Sequence, residues 1–131
     1  MVTDTVANSL TMIRNALHAR RAHVTIPSSR VVESILTILQ QKGFIDNFKP
    51  FKDEAKKFVR VHLKYEAPNK PAIRNLRRIS KSSLRVYVSI DDLKRVLNGM
   101  GTAILSTSHG IMADDEARKK HVGGEVLCEV W

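Results

Sequence analysis

The chain has 131 residues, 43% of them hydrophobic and 27% charged, which suffices for one ordinary domain or two very small ones and excludes a chain disordered by composition. Its 22 Lys and Arg against 13 Asp and Glu leave a formal charge of +9 and an isoelectric point of about 10.1, a balance that points to a polyanionic partner, most often nucleic acid. The lone Cys128 excludes an intrachain disulfide and a multi-cysteine zinc site, and no apolar run approaches the ~20 residues of a membrane helix. The segment MVTDTVANSL lacks a basic-then-apolar signal pattern, so the expected location is a reducing cytoplasm, with no membrane partner.

In chain order, Val6, Leu10, Ile13 and Leu17 step by 4, 3 and 4 and predict one face of a helix, with Thr3 or Asp4 as its cap. Arg14, His18, Arg20 and Arg21 load its far end with positive charge. His23–Ile26 predicts a short strand stopped by Pro27. Ser28 or Ser29 then caps a second helix with Val32, Ile35, Leu36 and Leu39 as its core stripe and Gly43 as its terminator. Phe44–Phe48 begins an extended segment, and Val59, Val61, Leu63 and Tyr65 alternate with Arg60, His62 and Lys64 as a half-buried strand. Residues 1–65 thus read as an N-terminal α/β unit of helix, strand, helix and strands.

Glu66–Pro71 breaks the pattern, and residues 66–72 are expected to be a linker. Residues 73–131 then read as a mainly β domain with a short helix, making the whole chain α+β. Leu84, Val86 and Val88 alternate with Arg85, Tyr87 and Ser89 as a strand whose first set is buried. Asp91 or Asp92 caps the short helix, expected to run through Leu97, and Asn98–Gly101 turns the chain into a strand at Ile104. Glu125–Trp131 is the last strand, with Trp131 closing a core edge.

The positive charge is clustered. Six basic residues between Asn69 and Ile90 and four between Thr5 and Val32 have no acidic neighbour in their stretches, and Lys56–Lys57 form a third cluster beside Asp53 and Glu54. Long unopposed runs in so small a chain favour a phosphate-facing surface over a merely solvated one.

Ser106-Thr107-Ser108-His109-Gly110 is the stretch with the densest chemistry. A serine nucleophile needs a base within reach, but Ser108 and His109, adjacent on a strand, would point to opposite faces, and no Gly-x-Ser-x-Gly elbow is present. His109, His121, Asp114 and Cys128 have no metal-ligand spacing. Neither an enzyme nor a cofactor is indicated. Short hydroxyls beside a glycine instead suit ribose 2′-hydroxyls and base edges in the shallow minor groove of an RNA helix, although Ser and Thr also cap turns through their own backbone.

Ile104–Gly110, Met112, Asp114, Glu116–Lys119, Val122–Cys128 and Val130–Trp131 resemble the C-terminal signature of small-subunit ribosomal protein eight of bacteria and organelles. Ile13–Ala16, Gly43–Phe44 and Arg85–Val88 extend the likeness across nearly the whole chain. The resemblance implies two α+β domains that bind the central domain of the small-subunit ribosomal RNA and nucleate its assembly, without catalysis or cofactor. In some bacteria the family also binds a messenger RNA of its own operon that mimics the ribosomal site, and a free regulatory RNA-binding protein is the alternative function. The location implied is the small subunit in the cytoplasm, or in an organellar matrix or stroma.

By the same resemblance, Ser106, Thr107, Ser108, His109 and Gly110 form a loop that docks into the minor groove of a distorted helix. Tyr87, with Arg85 on its strand, packs on an exposed base or sugar, and Glu125, after Gly124, buttresses the loop. Thr3, Asp4, Ser29, Arg30 and Lys56 or Lys57 reach a second RNA segment, and small-subunit proteins five and twelve are the expected neighbours. The chain departs from the family at His109, where a basic or polar residue is usual, and at Ser82–Ser83 in place of Pro-Gly. It departs also at Thr5, Met12 and Glu129, the last in a place usually aromatic or apolar. An imidazole at position 109 makes one phosphate contact weaker and pH-dependent.

Overall fold

The computed structural model describes residues 2–131, with side chains from Thr5 onward, so the expected cap at Thr3 or Asp4 lies outside the described side chains. The fold is α+β and falls into two compact units, the first ending at Arg74 and the second spanning Asn75–Trp131.

In the first unit, α1 (Val2–His18) buries Val6, Leu10, Ile13 and Leu17 along the predicted stripe. After β1 (His23–Pro27), the chain enters α2 (Arg30–Gln41) through Ser29, whose backbone is extended (φ −152°) and whose hydroxyl accepts from the Val32 amide at 3.2 Å. That bond satisfies one of the donors a helix start leaves open. At the other end Gly43 adopts φ +81°, and the Phe44 amide reaches back to the Leu39 carbonyl at 2.8 Å, a glycine-dependent stop. β2 (Ile45–Asp53) and β3 (Lys56–Leu63) form a long hairpin, and the antiparallel sheet has the order β1-β3-β2. Val59 and Val61, fully buried, face the helices from this sheet together with Ile26.

Residues 66–72 are not an open linker. β4 (Tyr65–Ala67) pairs with β5 (Lys70–Pro71), the Ala72 amide donates to the Lys64 carbonyl at 2.9 Å, and the Tyr65 hydroxyl donates to the Arg21 carbonyl at 2.7 Å. Pro68 and Asn69 are turn formers, and here they close a hairpin of the first unit instead of loosening the chain.

The second unit holds β6 (Leu76–Arg78), β7 (Tyr87–Val88), β8 (Thr102–Thr107), β9 (Gly110–Ala113), α3 (Asp114–Lys120) and β10 (Gly124–Val130). Its sheet runs β6-β10-β8-β9, and β7 also pairs with β10. Ala103, Leu105, Met112, Ala117 and Val126 form a core cluster against which Trp131 packs, half-buried.

The strand expected from Leu84 is reduced to Tyr87–Val88, and Leu84 is 69% exposed rather than buried. Ser82–Ser83 occupy a tight turn in which Lys81 and Leu84 exchange backbone hydrogen bonds of 2.9 and 3.0 Å, so extension begins late. The short helix also lies elsewhere. Residues 90–99 form only two 3₁₀ turns, with Leu97 and Asn98 at positive φ, whereas α3 forms at 114–120. Asp114, Asp115 and Glu116 open α3 and Arg118, Lys119 and Lys120 close it, a charge order that complements the helix dipole. Arg118 pairs with Asp114 at 2.9 Å one turn away. No described helix is long and apolar enough to cross a membrane.

Candidate nucleic-acid interface

β10 organises the chemistry of the second unit because Glu125 is paired on both sides. Its register partner on β7 is Tyr87, and on β8 it is Ser106. Residues directly opposite in antiparallel pairs share a face, so Tyr87, Glu125 and Ser106 project from the same side of the sheet across three strands. Two strand spacings separate the phenol from the serine, roughly 10 Å. The Tyr87 ring is 67% exposed and its neighbours Val86 and Val88 are half-buried, as alternation requires.

The Glu125 carboxylate does not face solvent freely. Its Oε2 accepts from the Ser80 hydroxyl at 2.5 Å and pairs with the Arg85 guanidinium at 3.0 Å. Ser80 Oγ in turn accepts from the Val86 amide at 3.2 Å, and the Ser80 and Val126 backbones are bonded at 3.0 Å. One carboxylate therefore fixes the segment that leads into Tyr87. Gly124 has its own reason to lack a side chain, since a Cβ there would overlap the Ser106 carbonyl. Close approach of β10 to β8 at the serine depends on that glycine.

The hydroxyl-rich stretch divides by position. Ser106 and Thr107 end β8, Gly110 starts β9, and Ser108–His109 are the two residues of the turn between them, both exposed. The Thr107 hydroxyl donates to the Gly110 carbonyl at 2.8 Å and accepts from the His109 amide at 3.0 Å. Thr107 thus clamps the turn, the role short hydroxyls often take. Gly110 has φ +106°, a conformation L side chains rarely adopt, although open space surrounds it. On a strand that continued through position 108, Ser106 and Ser108 would share one face. Because β8 stops at Thr107, Ser106 belongs to the sheet face and Ser108 to the hairpin tip.

In the first unit the expected residues separate as well. Ser29 is the α2 cap, Arg30 is exposed at the first helical position, and the Ser28 amide donates to the Lys57 carbonyl at 3.0 Å. That bond brings Lys57 beside the amino end of α2. Lys56, one residue earlier on β3, projects from the opposite face of the strand. The side chains of Thr3 and Asp4 lie outside those described.

Two features were hidden from sequence reasoning. Ser80, fully buried, is the hub between Glu125 and Val86, and nothing in Ser80–Ser83 marks one serine over the next. The basic run 69–90 is also not unopposed in space, because β10 returns Glu129 to Arg77 at 2.6 Å and Glu125 to Arg85. The register of β10 against β6 was the missing information. Among the described residues no group of three or more His, Cys, Asp or Glu is placed to hold a metal ion.

The comparisons with known proteins agree along the full chain. A family profile described as Ribosomal protein S8 matches residues 4–131. The small ribosomal subunit protein uS8 of Acholeplasma laidlawii is 51% identical over 131 residues, covering 100% of this chain and 99% of the relative. Its namesake from Anaeromyxobacter sp. (strain K) is 49% identical over 129 residues, 98% of each chain, and that from Thermodesulfovibrio yellowstonii is 47% identical over 131 residues, all of both. With this fold and this arrangement around β10, the chain belongs to the ribosomal protein S8 family.

Proposed function

We propose that this chain is a structural, RNA-binding component of the small ribosomal subunit in the cytoplasm, acting in translation without catalysis, and that it binds the central domain of the small-subunit ribosomal RNA and helps assemble it. The observation that carries this reading is the double pairing of Glu125, which aligns an exposed aromatic ring, a buttressed carboxylate and a serine hydroxyl on one face. Such a face suits a splayed base or sugar at Tyr87 and a minor groove at Ser106, with the Ser108–His109 tip entering the groove beside it. Arg85, two residues before the ring and paired with Glu125, and the exposed Lys81 of the preceding turn supply phosphate attraction. In the first unit, Ser29, Arg30 and Lys57 at the amino end of α2 hold a second RNA segment by the backbone. Thr3, Asp4 and Lys56 remain contacts implied by the family, as do small-subunit proteins five and twelve.

The test is sedimentation with the small subunit combined with the Tyr87→Ala variant. The native chain is expected to travel with the subunit, whereas a free regulator of messenger RNA would stay in the soluble fraction. Tyr87→Ala should weaken binding to a central-domain RNA fragment by about 1–3 kcal/mol, and Tyr87→Phe should retain most of the affinity. With the ring so exposed, thermal stability should hardly change; a Tyr87→Ala chain that unfolds would instead assign the ring to the core.

A further inference from the structure

The first unit's sheet has a second face, opposite the one its buried valines present to the helices, and a hollow beside that face is lined by Phe51, Phe58, Ser28 and, from α2, Glu33. Val59 and Val61 point to the helices, so by alternation Phe58 and Arg60 point outward, and their register partners do the same: Phe51 opposite Phe58, Lys49 opposite Arg60, Pro27 and Thr25 across β1. The Phe51 and Phe58 rings stack with centroids 5.8 Å apart and planes at 26°. The Arg60 guanidinium lies 5.8 Å from the Phe51 centroid. Phe51 is 38% exposed, a large apolar ring held in place by Phe58 and the Arg60 guanidinium, with part of its surface open.

The charge on this face selects the occupant. At the paired positions Lys49, Arg60 and Lys56 are cationic and Asp53 at the hairpin end is acidic, and in the hollow beside the rings Lys52 and Lys57 outnumber Glu33. Among the described residues Arg60 has no carboxylate partner; it is committed to the ring instead. Exposed aromatic rings on an antiparallel sheet, flanked by Lys and Arg, are what unpaired bases stack on while their phosphates are neutralised alongside. A protein partner of matching shape would meet the same cations and would have to be acidic. We propose that the outer face of the β1-β3-β2 sheet binds single-stranded RNA, one base stacking on Phe51 and the flanking phosphates lying against Arg60 and Lys49. Its residues belong to the first unit, whereas Tyr87 belongs to the second.

The test uses the full chain with a labelled adenylate dodecamer and an abasic ribose-phosphate dodecamer of equal charge, read by fluorescence anisotropy. The adenylate oligomer should bind about tenfold or more tightly than the abasic one. Phe51→Ala should erase that difference, Phe51→Trp should keep it with indole emission quenched on binding, and Arg60→Gln should weaken both oligomers. The same comparison is made in a Tyr87→Ala background, which removes the exposed ring of the second unit, and there too the adenylate oligomer should bind more tightly than the abasic one until Phe51 is replaced by Ala. Circular dichroism melts control for folding, and should Phe51→Ala prove unstable the Phe51→Trp quench alone decides. Equal binding of the two oligomers in the Tyr87→Ala background, or an unquenched Phe51→Trp indole, would overturn the proposal. So would a Phe51→Ala chain that binds RNA normally but fails to join its neighbours in the subunit, since the face would then be a protein contact.

Discussion

Thr107 and Ser106 stand side by side, yet their hydroxyls have different employment. The Thr107 hydroxyl is already bonded twice within the turn, while Ser106 is half-buried on the Glu125 face. Each such bond is worth about 1 kcal/mol net. Thr107→Val, which keeps the shape and removes the hydroxyl, should therefore lower folding stability by roughly 1–2 kcal/mol, read from denaturant midpoints. Ser106→Ala should leave the midpoint nearly unmoved and weaken RNA binding by about fivefold or more, because its loss is felt only by the partner. His109→Ala should do less than either. A His109→Ala effect larger than that of Ser106→Ala would shift the weight of the site to the hairpin tip. Sequence alone read these residues as a set and missed the division, since adjacency does not say where a strand ends.

Elements with strong periodicity were legible and those defined by pairing were not. The 3.6-residue stripes of α1 and α2, the Ser29 cap and the Gly43 stop are local properties, written in a few consecutive residues. β7 and the β4-β5 hairpin are short, and their partners are distant or hidden behind turn residues, so a window of sequence misjudged both. α3 was missed because a helix so short carries only a charge signature. β10 offers a test at this scale. Cys128 is fully enclosed opposite Arg78, and burial pushes its thiol from 9.0 up to about 12, the Arg78 cation pulling weakly the other way. The unfolded chain loses this proton first as pH rises. The native state then binds more protons than the unfolded one, so the thiol's share of stability is complete below about pH 9 and drains away toward pH 12. The stability advantage of the native chain over Cys128→Ala should shrink between pH 8 and pH 11 in paired denaturation curves. In native buffer at pH 8 a thiol-specific reagent should label Cys128 only as fast as the chain opens. Rapid labelling of the folded chain would show that β10 is looser than its pairing indicates.

For the molecule as a whole, the +9 charge survives the pairing of Arg77, Arg85 and Arg118 with β10 and α3 carboxylates, since those pairs only arrange charges already counted. Arg30 and Lys57 in the first unit and Lys81 in the second are exposed. With about six phosphate contacts, the logarithm of affinity should fall against the logarithm of salt with a slope of about −4 to −5. A slope near zero in a salt titration with the ribosomal fragment would remove the electrostatic basis of the reading. Tyr87→Ala should lower affinity without changing the slope, whereas Arg30→Gln should flatten it by close to one contact.

The position of β10 in the chain sets an order in time. β6, β7 and β8 all pair with it, and all precede it, so during synthesis each waits for a strand not yet made. Until residues 124–130 have left the exit tunnel, Tyr87 has no paired neighbour and Ser106 lacks the strand that aligns it with Glu125. The first unit has no such dependence, its sheet and helices being complete by Arg74. A nascent chain can fold its amino-terminal half early while the face around Glu125 is still unassembled. The RNA capture proposed for the Tyr87 face would thereby be reserved for a chain translated through β10.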